Sequence, residues 1–188
     1  MRHLAQTDDL TGLNTRRWFF ELAYQELRHT RRMGTPLGLW MLDLDHFKAV
    51  NDRFGHAAGD EVLKIVADLC RQELRVSDII GRLGGEEFVI VLPDSNLEAT
   101  CVTAERLRTR LAQFKFPAEF DGLSLTMTAG VTQLSPGEAT LEPALLRADR
   151  ALYTGKSRGR NIVVMAEHRS IEDILLADLN AQDEKFPL

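Results

Sequence analysis

The pattern of hydrophobic and polar positions predicts a chain in which helices and strands alternate. Two stretches are almost continuously apolar, as buried strands are, and they cover residues 37–44 and 88–92. Residues 123–129 alternate between apolar and polar positions, as a half-buried strand does, and a last short strand follows at residues 162–164. Apolar residues three and four positions apart predict amphipathic helices at residues 14–32, 47–55, 59–75, 97–111 and 141–154.

Local sequence signals suggest how some of these helices begin, end and face the core. Asn14 is a suitable N-cap for the first helix, and Trp18, Leu22 and Leu27 are predicted on its buried side. Asp60 has the same capping chemistry for the helix that follows Gly59, and Asn51 fits the end of the short helix before it. On local grounds alone, Asn51 and Asp60 are therefore structural residues.

The order of elements after the first helix is strand, helix, strand, strand, helix and strand, followed by a further helix and strand. This βαββαβ order predicts an α/β fold of the α+β type, in which helices cover one face of a mainly antiparallel sheet, as in ferredoxin-like folds. In that topology the first strand and the strand pair at the centre of the chain are neighbours.

That central strand pair is the sequence GRLGGEEFVIVL at residues 81–92. Apolar, β-prone segments flank Gly84 and Gly85, which can adopt the positive φ values of a tight turn, so the motif predicts a β-hairpin. Its tip carries Glu86 and Glu87. Two carboxylates beside a glycine turn suit a divalent cation and a polyphosphate, and a solvated acidic turn is the simpler alternative. The hairpin by itself is compatible with either.

A second acidic feature interrupts the apolar strand at residues 37–44. Asp43 needs a compensating partner at the end of a buried strand, and either a metal ion or a basic side chain would provide it. Asp45 follows at the spacing that places two side chains on the same face of a strand. Because the strand is expected beside the hairpin, Asp43 is expected beside Glu86, with the Leu44 carbonyl as a further oxygen ligand. Hard oxygen ligands of this kind select Mg2+ or Mn2+.

Two charged segments have both a structural and a functional interpretation. Arg75 and Asp78 stand where a helix ends and a turn begins, which is routine for these residue types. The loop at residues 155–160 carries three cations and two glycines, and it thus opposes the net charge of the chain. Lysines and arginines are ordinary on a surface, and Lys156 and Arg160 would equally pair with a polyanion.

Composition narrows the class of protein. The 188 residues fit one domain of ordinary size, and 44% hydrophobic and 27% charged residues are typical of a globular protein. The formal net charge of −5 argues against a nucleic-acid binder that neutralises phosphates over a broad surface. No apolar run is long enough to span a bilayer, and the first residues lack the apolar core of a signal peptide, so we expect a cytoplasmic protein without a membrane segment.

These motifs together resemble the GGDEF family of diguanylate cyclases. The sequence GGEEF at residues 84–88 is similar to the family signature in its variant with Glu at the third position. The sequence DLDHFKAVNDRFGHAAGD at residues 43–60 resembles the nucleotide segment of the family. The resemblance implies a core like the palm of nucleotidyl cyclases and a GGDEF domain at residues 1–166. Residues 167–188 are expected to form a C-terminal amphipathic helix and a frayed tail.

The resemblance also implies an activity and its partners. The expected reaction is the condensation of two GTP molecules into cyclic di-GMP with release of two pyrophosphates, and it depends on Mg2+ or Mn2+. One subunit binds one GTP, so a homodimer is expected to be the active form. Cyclic di-GMP is expected to act as a feedback inhibitor, and an N-terminal regulatory domain outside this chain is expected to control activity.

Residue roles follow from the resemblance by position. Asp43, the Leu44 carbonyl and Glu86 would hold metal, Glu86 would accept the proton, and Glu87 would assist. The residues expected over the phosphates are His46, Phe47, Lys48, Lys156 and Arg160. Those expected to contact guanine are Asn51 and Asp60, and those matching the inhibitory site for the cyclic product are Arg75, Asp78 and Arg106.

Two other functions are compatible with the same sequence. The first is a receptor that binds GTP or cyclic di-GMP without turnover, although such relatives usually lose signature residues, and this chain retains them. The second is an adenylate or guanylate cyclase of the related fold, which would make a 3',5'-cyclic mononucleotide.

Overall fold

The computed structural model of the chain describes residues 6–134 and 137–166. The helices are α1 (Arg16–Met33), α2 (Phe47–Phe54), α3 (His56–Glu73), α4 (Leu97–Gln113) and α5 (Glu142–Ser157), and a short 3-10 helix covers Ala118–Phe120. The strands are β1 (Asn14–Thr15), β2 (Leu37–Leu44), β3 (Ile79–Gly84), β4 (Glu87–Pro93), β5 (Met127–Leu134) and β6 (Val163–Ala166). The C-terminal helix and tail predicted at residues 167–188 lie outside the described residues.

The six strands form one sheet in the order β1-β3-β4-β2-β5-β6. The four inner strands pair antiparallel, whereas β1 joins β3 and β6 joins β5 in parallel. The predicted βαββαβ core and its mainly antiparallel sheet are therefore confirmed. β2 occupies the middle of the sheet between β4 and β5, and this position decides where the acidic residues at its end lie.

Helices cover both faces of the sheet, and alternate residues of β2 point to opposite faces. Trp40 and Leu42 belong to the core that includes α3 and α4, the two longer helices of the βαββαβ unit. Leu37 and Leu39 pack on the other face, in a core formed with α1 and α5. The expectation of helices on one face thus holds for the βαββαβ unit, and the flanking helices cover the second face. Asp43 is four residues from Leu39, so its side chain lies on the same face of the sheet, which α1 and α5 cover.

The start of α1 differs from the prediction. Thr15 is the N-cap, and its hydroxyl accepts a hydrogen bond from the Trp18 backbone N–H at 3.4 Å. Asn14 lies one residue earlier in β1, where its side chain donates to the Ile80 carbonyl at 2.7 Å. Both residue types cap helices well, and the pairing of β1 with β3 decides between them.

The buried stripe of α1 is also displaced from the predicted one. Phe19, Ala23 and Leu27 are buried, whereas Trp18 and Leu22 are only partly buried. The prediction is therefore confirmed at Leu27 and is offset by one residue at Trp18 and Leu22. Phe19 fixes the orientation because it packs against Gly81 of β3, where an added Cβ would come 2.6 Å from the Phe19 Cβ.

Two further predicted boundaries were wrong. α3 begins at His56, so Asp60 lies in its second turn and is not an N-cap. The strand predicted at residues 123–129 is β5, which covers Met127–Leu134. Leu125 is buried in a loop, and this burial accounts for the apolar alternation before the strand begins. No helix of the described residues is both long and apolar enough to cross a bilayer.

Candidate nucleotide and metal site

The end of β2 meets the tip of the β3-β4 hairpin. Asp43 is buried and pairs in register with Glu87 of β4, and the Leu44 N–H donates to the Glu86 carbonyl at 3.3 Å. Glu86 is partly buried and Glu87 is exposed. The prediction that the strand at residues 37–44 lies beside the hairpin is therefore confirmed. The residue directly across the ladder from Asp43, however, is Glu87.

A lysine of α5 supplies the compensating charge for Asp43. The Lys156 Nζ atom lies 2.9 Å from Asp43 Oδ2, in the last turn of the helix. The helix approaches closely because Gly155 packs on β5, where an added Cβ would come 2.6 Å from Thr128 Cγ2. Of the two partners predicted for Asp43, a metal ion or a basic side chain, Lys156 is the basic side chain.

Arg82 of β3 stabilises the tip of the hairpin. Arg82 Nε donates to the Gly85 carbonyl at 2.9 Å, and its Nη1 lies 3.1 Å from Asp8 Oδ1. Thr11 donates its hydroxyl to Asp8 at 2.6 Å. Burial acts to raise the pKa of Asp8, but hydrogen bonds from Thr11 and the Arg82 charge lower it below its usual value. No local pattern in the sequence indicates these contacts, because Asp8 and Arg82 are 74 residues apart.

The packing of α2 against α3 brings the two residues that are predicted to contact guanine close together. Gly59 of α3 faces Asn51, and a Cβ added there would come 1.9 Å from Asn51 Oδ1. The Asn51 carboxamide therefore lies against the helix backbone immediately before Asp60. Asn51 is partly buried and Asp60 is exposed, so both can reach a ligand at the surface.

The first turn of α2 carries the three residues expected over the phosphates. His46 is exposed and adopts a left-handed backbone conformation (φ 57°), and Lys48 is exposed. Phe47 is 5% exposed, and its side chain is part of the core. Phe47 can therefore contact a ligand through its backbone N–H, which belongs to the helix terminus and lacks an intrahelical acceptor.

The basic segment after α5 has an unusual backbone. Arg160 and Asn161 are consecutive non-glycine residues in the left-handed region, with φ values of 66° and 48°. This conformation costs L-residues about 1–2 kcal/mol each, and somewhat less for Asn. Such residues persist where the surroundings fix them, and they concentrate at functional sites.

Asp45 is one of the groups that fix this segment. Its Oδ2 atom accepts hydrogen bonds from the Asn161 backbone N–H at 2.9 Å and from the Thr126 hydroxyl at 2.7 Å. Its Oδ1 atom accepts from the Thr128 hydroxyl at 2.6 Å. Only the spacing of Asp45 from Asp43 is apparent from the sequence, because the partners of Asp45 lie more than 80 residues away along the chain.

The three residues of the predicted inhibitory site gather around the end of α3. Arg75 and Asp78 close a turn, in which the Arg75 N–H donates to Asp78 Oδ2 at 2.7 Å. Burial raises the pKa of Asp78, against the lowering effects of this bond and of the Arg75 and Arg106 charges. Arg106 of α4 binds the Glu73 carboxylate and also donates to the Glu73 carbonyl at 2.6 Å. Glu73, for which the sequence pattern indicates no role, thus contacts one of the predicted arginines.

The carboxylates at the sheet edge define what kind of metal the site suits. Across the described residues, no group of three or more His, Cys, Asp or Glu side chains is placed to hold a metal ion. Mg2+ typically binds through one or two carboxylates and completes its shell with waters and substrate phosphates. Asp43 and the neighbouring hairpin glutamates fit that donor set, and the Lys156 ion pair shows that this position favours a cation.

Comparison with known proteins identifies the class of protein. The chain belongs to the GGDEF family, since the family model described as "Diguanylate cyclase, GGDEF domain" matches residues 5–162. It is 47% identical over 165 residues to the diguanylate cyclase DgcP of Pseudomonas aeruginosa, covering 88% of this chain and 24% of that protein. The chain therefore spans about a quarter of the length of this relative.

Solved structures of GGDEF domains have the same fold. The GGDEF domain of DgcB from Caulobacter crescentus in complex with c-di-GMP matches with a TM-score of 0.82 and 33% identity, over 89% of this chain and 97% of that one. The active GGEEF domain of a diguanylate cyclase from Vibrio cholerae matches with a TM-score of 0.77 and 34% identity, over 83% and 98%.

Proposed function

We propose that this chain is the catalytic domain of a diguanylate cyclase, which condenses two GTP molecules into cyclic di-GMP and two pyrophosphates. The observation that carries the proposal is the pairing of β2 with β4, which brings Asp43 to the tip of the GGEEF hairpin, beside Lys156. The relative DgcP is named a diguanylate cyclase, and the similar Vibrio cholerae domain is described as active with the same GGEEF signature.

The proposed metal is Mg2+ or Mn2+, held by Asp43, Glu86 and the Leu44 carbonyl. When bound, it would screen the charge of the phosphates and lower the pKa of the attacking hydroxyl. The donors are hard oxygens, and their small number leaves coordination positions for phosphate oxygens and waters.

The proposed GTP site extends from α3 to the end of α5. Asn51 and Asp60 would read guanine, because a carboxylate accepts from the N1 and N2 donors of this base and an amide can pair with its edge. The same carboxylate would face adenine without a donor, and an unpaired polar group of this kind discriminates strongly. The groups proposed to contact the phosphates are His46, the Phe47 backbone N–H, Lys48, Lys156 and Arg160.

In the proposed reaction, the 3'-hydroxyl oxygen of one GTP attacks the α-phosphorus of another in line with the leaving pyrophosphate. Glu86 accepts the hydroxyl proton, and Glu87 assists from the exposed side of the hairpin. A new phosphodiester forms as the bond to the β-phosphate breaks, and a second, equivalent attack closes the ring. Each chain holds one GTP, so the active form is a homodimer with its two sites face to face.

Regulation is proposed to act through two further features. Arg75, Asp78 and Arg106 would bind cyclic di-GMP as a feedback inhibitor, and the DgcB domain that resembles this chain was solved with c-di-GMP. A regulatory domain N-terminal to the chain would control how two copies meet. The GGDEF domain itself is proposed to comprise residues 1–166, and the family model matches residues 5–162.

Incubation of concentrated protein with GTP and Mg2+, followed by chromatography, tests the function. We expect cyclic di-GMP and pyrophosphate in a ratio of one to two. A receptor would bind GTP or cyclic di-GMP and leave GTP intact, and a mononucleotide cyclase would yield a 3',5'-cyclic monophosphate. Either result would overturn the proposal, and the same chromatogram separates them.

A further inference from the structure

The basic segment at residues 155–161 is attached to the sheet at both of its ends by acidic residues of one strand terminus. At its start, Lys156 pairs with Asp43. At its end, the Asn161 backbone N–H donates to Asp45. Arg160 lies immediately before this second attachment, and its own N–H donates to the Gly155 carbonyl at 3.1 Å. The backbone of Arg160 is therefore held on both sides.

Asp45 is poorly suited to a second role as a metal ligand. Its two oxygens already accept three hydrogen bonds, from the hydroxyls of Thr126 and Thr128 and from the Asn161 N–H. The residue is only 4% exposed, and these hydrogen bonds compensate the cost of burying its polar atoms. Asp43, in contrast, has a flexible lysine as its partner, and that partner can move when a ligand arrives.

The hydrogen bond from Asn161 to Asp45 stabilises an unusual backbone conformation. Left-handed Arg160 and Asn161 are unfavourable for a free loop, so without an anchor the segment would adopt more extended conformations. A second anchor acts on the same residue, since Arg108 of α4 donates to Asn161 Oδ1 at 2.8 Å. Asp45 holds the backbone of Asn161 and Arg108 holds its side chain.

We infer that Asp45 is a positioning residue that sets the direction of the Arg160 side chain. Through that side chain it sets the affinity of the site for the triphosphate of the nucleotide. The inference rests on the proposed function, because it gives Arg160 a triphosphate to bind. Asp45 itself touches no substrate. It acts by keeping Arg160 in a conformation that the chain would otherwise leave, so that little freedom is lost when the nucleotide binds.

Two substitutions of Asp45 separate positioning from charge. In Asp45→Asn the amide oxygen can still accept from Asn161 and Thr126, and the amide nitrogen can donate to the Thr128 hydroxyl, which can accept. In Asp45→Ala all three donors lose their acceptor. We expect Asp45→Ala to weaken binding of a non-hydrolysable GTP analogue with an α,β-methylene bridge by about tenfold, as loss of a charge-assisted contact does, and Asp45→Asn to restore most of it.

A double-mutant cycle with Arg160 tests whether Asp45 acts through that residue. If it does, the double variant Asp45→Ala with Arg160→Ala binds the analogue within about twofold of Arg160→Ala alone, since the two losses are not additive. The affinity for GMP, which lacks the outer phosphates, should remain within about twofold of wild type in every variant. Circular dichroism and thermal melting verify that each variant is folded at the temperature of the titration.

Should Asp45→Ala fail to fold, Asn161→Pro replaces it. This variant removes the N–H that donates to Asp45 and excludes the positive φ, while it leaves the buried carboxylate with both threonines. Additive losses in the cycle, or wild-type affinity for the analogue in the Asp45→Ala or Asn161→Pro variant, would overturn the inference. Wild-type protein that binds neither the analogue nor GMP would instead overturn the proposed function.

Discussion

Asp43 of β2 and Lys156 of α5 form an ion pair of 2.9 Å at the edge of the sheet, next to the hairpin tip. The two residues are 113 positions apart in the chain, and the close packing of Gly155 on β5 brings them together. The same carboxylate is proposed to hold a metal, and the same lysine is proposed to contact phosphate. Metal and nucleotide are therefore expected to bind more favourably together, because the phosphates provide a new partner for the released lysine.

Replacement of Lys156 tests whether the lysine and the metal compete for Asp43. In Lys156→Met the side chain keeps its length and loses its charge, so Asp43 has no cation to release before metal binds. We expect Mn2+ to bind without nucleotide up to about fivefold more tightly, given that partly exposed ion pairs are worth up to ~1 kcal/mol. Calorimetric titration with Mn2+ measures the change.

A second lysine provides the control for that titration. Lys64→Met removes a charge that pairs with Glu61 on the exposed side of α3, and it should leave Mn2+ binding as in wild type. Weaker Mn2+ binding by Lys156→Met would show that the lysine does not compete with the metal.

Glu86→Gln should abolish product formation and leave the fold intact. The substitution removes the group proposed to accept the hydroxyl proton, a contribution of about 10²–10⁴-fold in rate, and it also removes a metal ligand. Pyrophosphate release from GTP measures the rate, and thermal melting reports the fold. Glu98→Gln, in the first turn of α4, is the control and should retain wild-type turnover. Full activity of Glu86→Gln would remove the catalytic assignment.

Gly59→Ala should impair recognition of the base without damaging the fold. The new methyl group would lie 1.9 Å from Asn51 Oδ1, so the end of a flexible side chain must move away. Alanine is favoured over glycine inside a helix by about 1 kcal/mol, which offsets part of the strain. We expect a lower affinity for GTP with a smaller preference for GTP over ATP, measured by competition binding.

Ala58→Gly is a suitable comparison for that experiment, since it alters the preceding residue of the same helix and adds no atom near Asn51. It should destabilise α3 slightly and retain the preference for GTP. Unchanged selectivity in Gly59→Ala would contradict the role given to Asn51.

Glu73→Gln should strengthen binding of cyclic di-GMP to the proposed inhibitory site. Glu73 binds Arg106 and Arg110, and hydrogen bonds from Arg110 lead the effects that lower the pKa of its carboxyl group. Because the carboxylate competes with an incoming phosphate for Arg106, its neutralisation should raise affinity for the product and lower the concentration that inhibits. Arg106→Ala should have the opposite effect. Identical inhibition of wild type and both variants would exclude this site.

The sequence predicted the hairpin and its neighbour strand well because both depend on local signals. Gly84 and Gly85 are the residues that allow a tight turn, and continuous apolar character marks β2 as a buried strand. Once the order of elements indicates the topology, the meeting of Asp43 with the hairpin follows from pairing rules. Residue roles at the site remain predictions.

Contacts between distant segments were not predictable in this way. The pairing of Asp43 with Lys156 depends on how closely α5 approaches the sheet, which is a matter of packing. The N-cap of α1 is not Asn14 because the side chain of that residue donates a hydrogen bond to the Ile80 carbonyl of β3. The support of the hairpin by Arg82 and Asp8 joins residues 74 positions apart, which no local sequence pattern links.

The central place of β2 in the sheet has a consequence for control of the protein. A strand that is hydrogen-bonded on both sides cannot shift its end without breaking two ladders at once, so Asp43 is a fixed reference point. Asp45, which follows the strand, is fixed by its own bonds to Thr126, Thr128 and Asn161. In the proposed homodimer, an upstream signal is then expected to change the distance and angle between the two domains. Within each domain, the reactive edge would be the same in the resting and the stimulated protein.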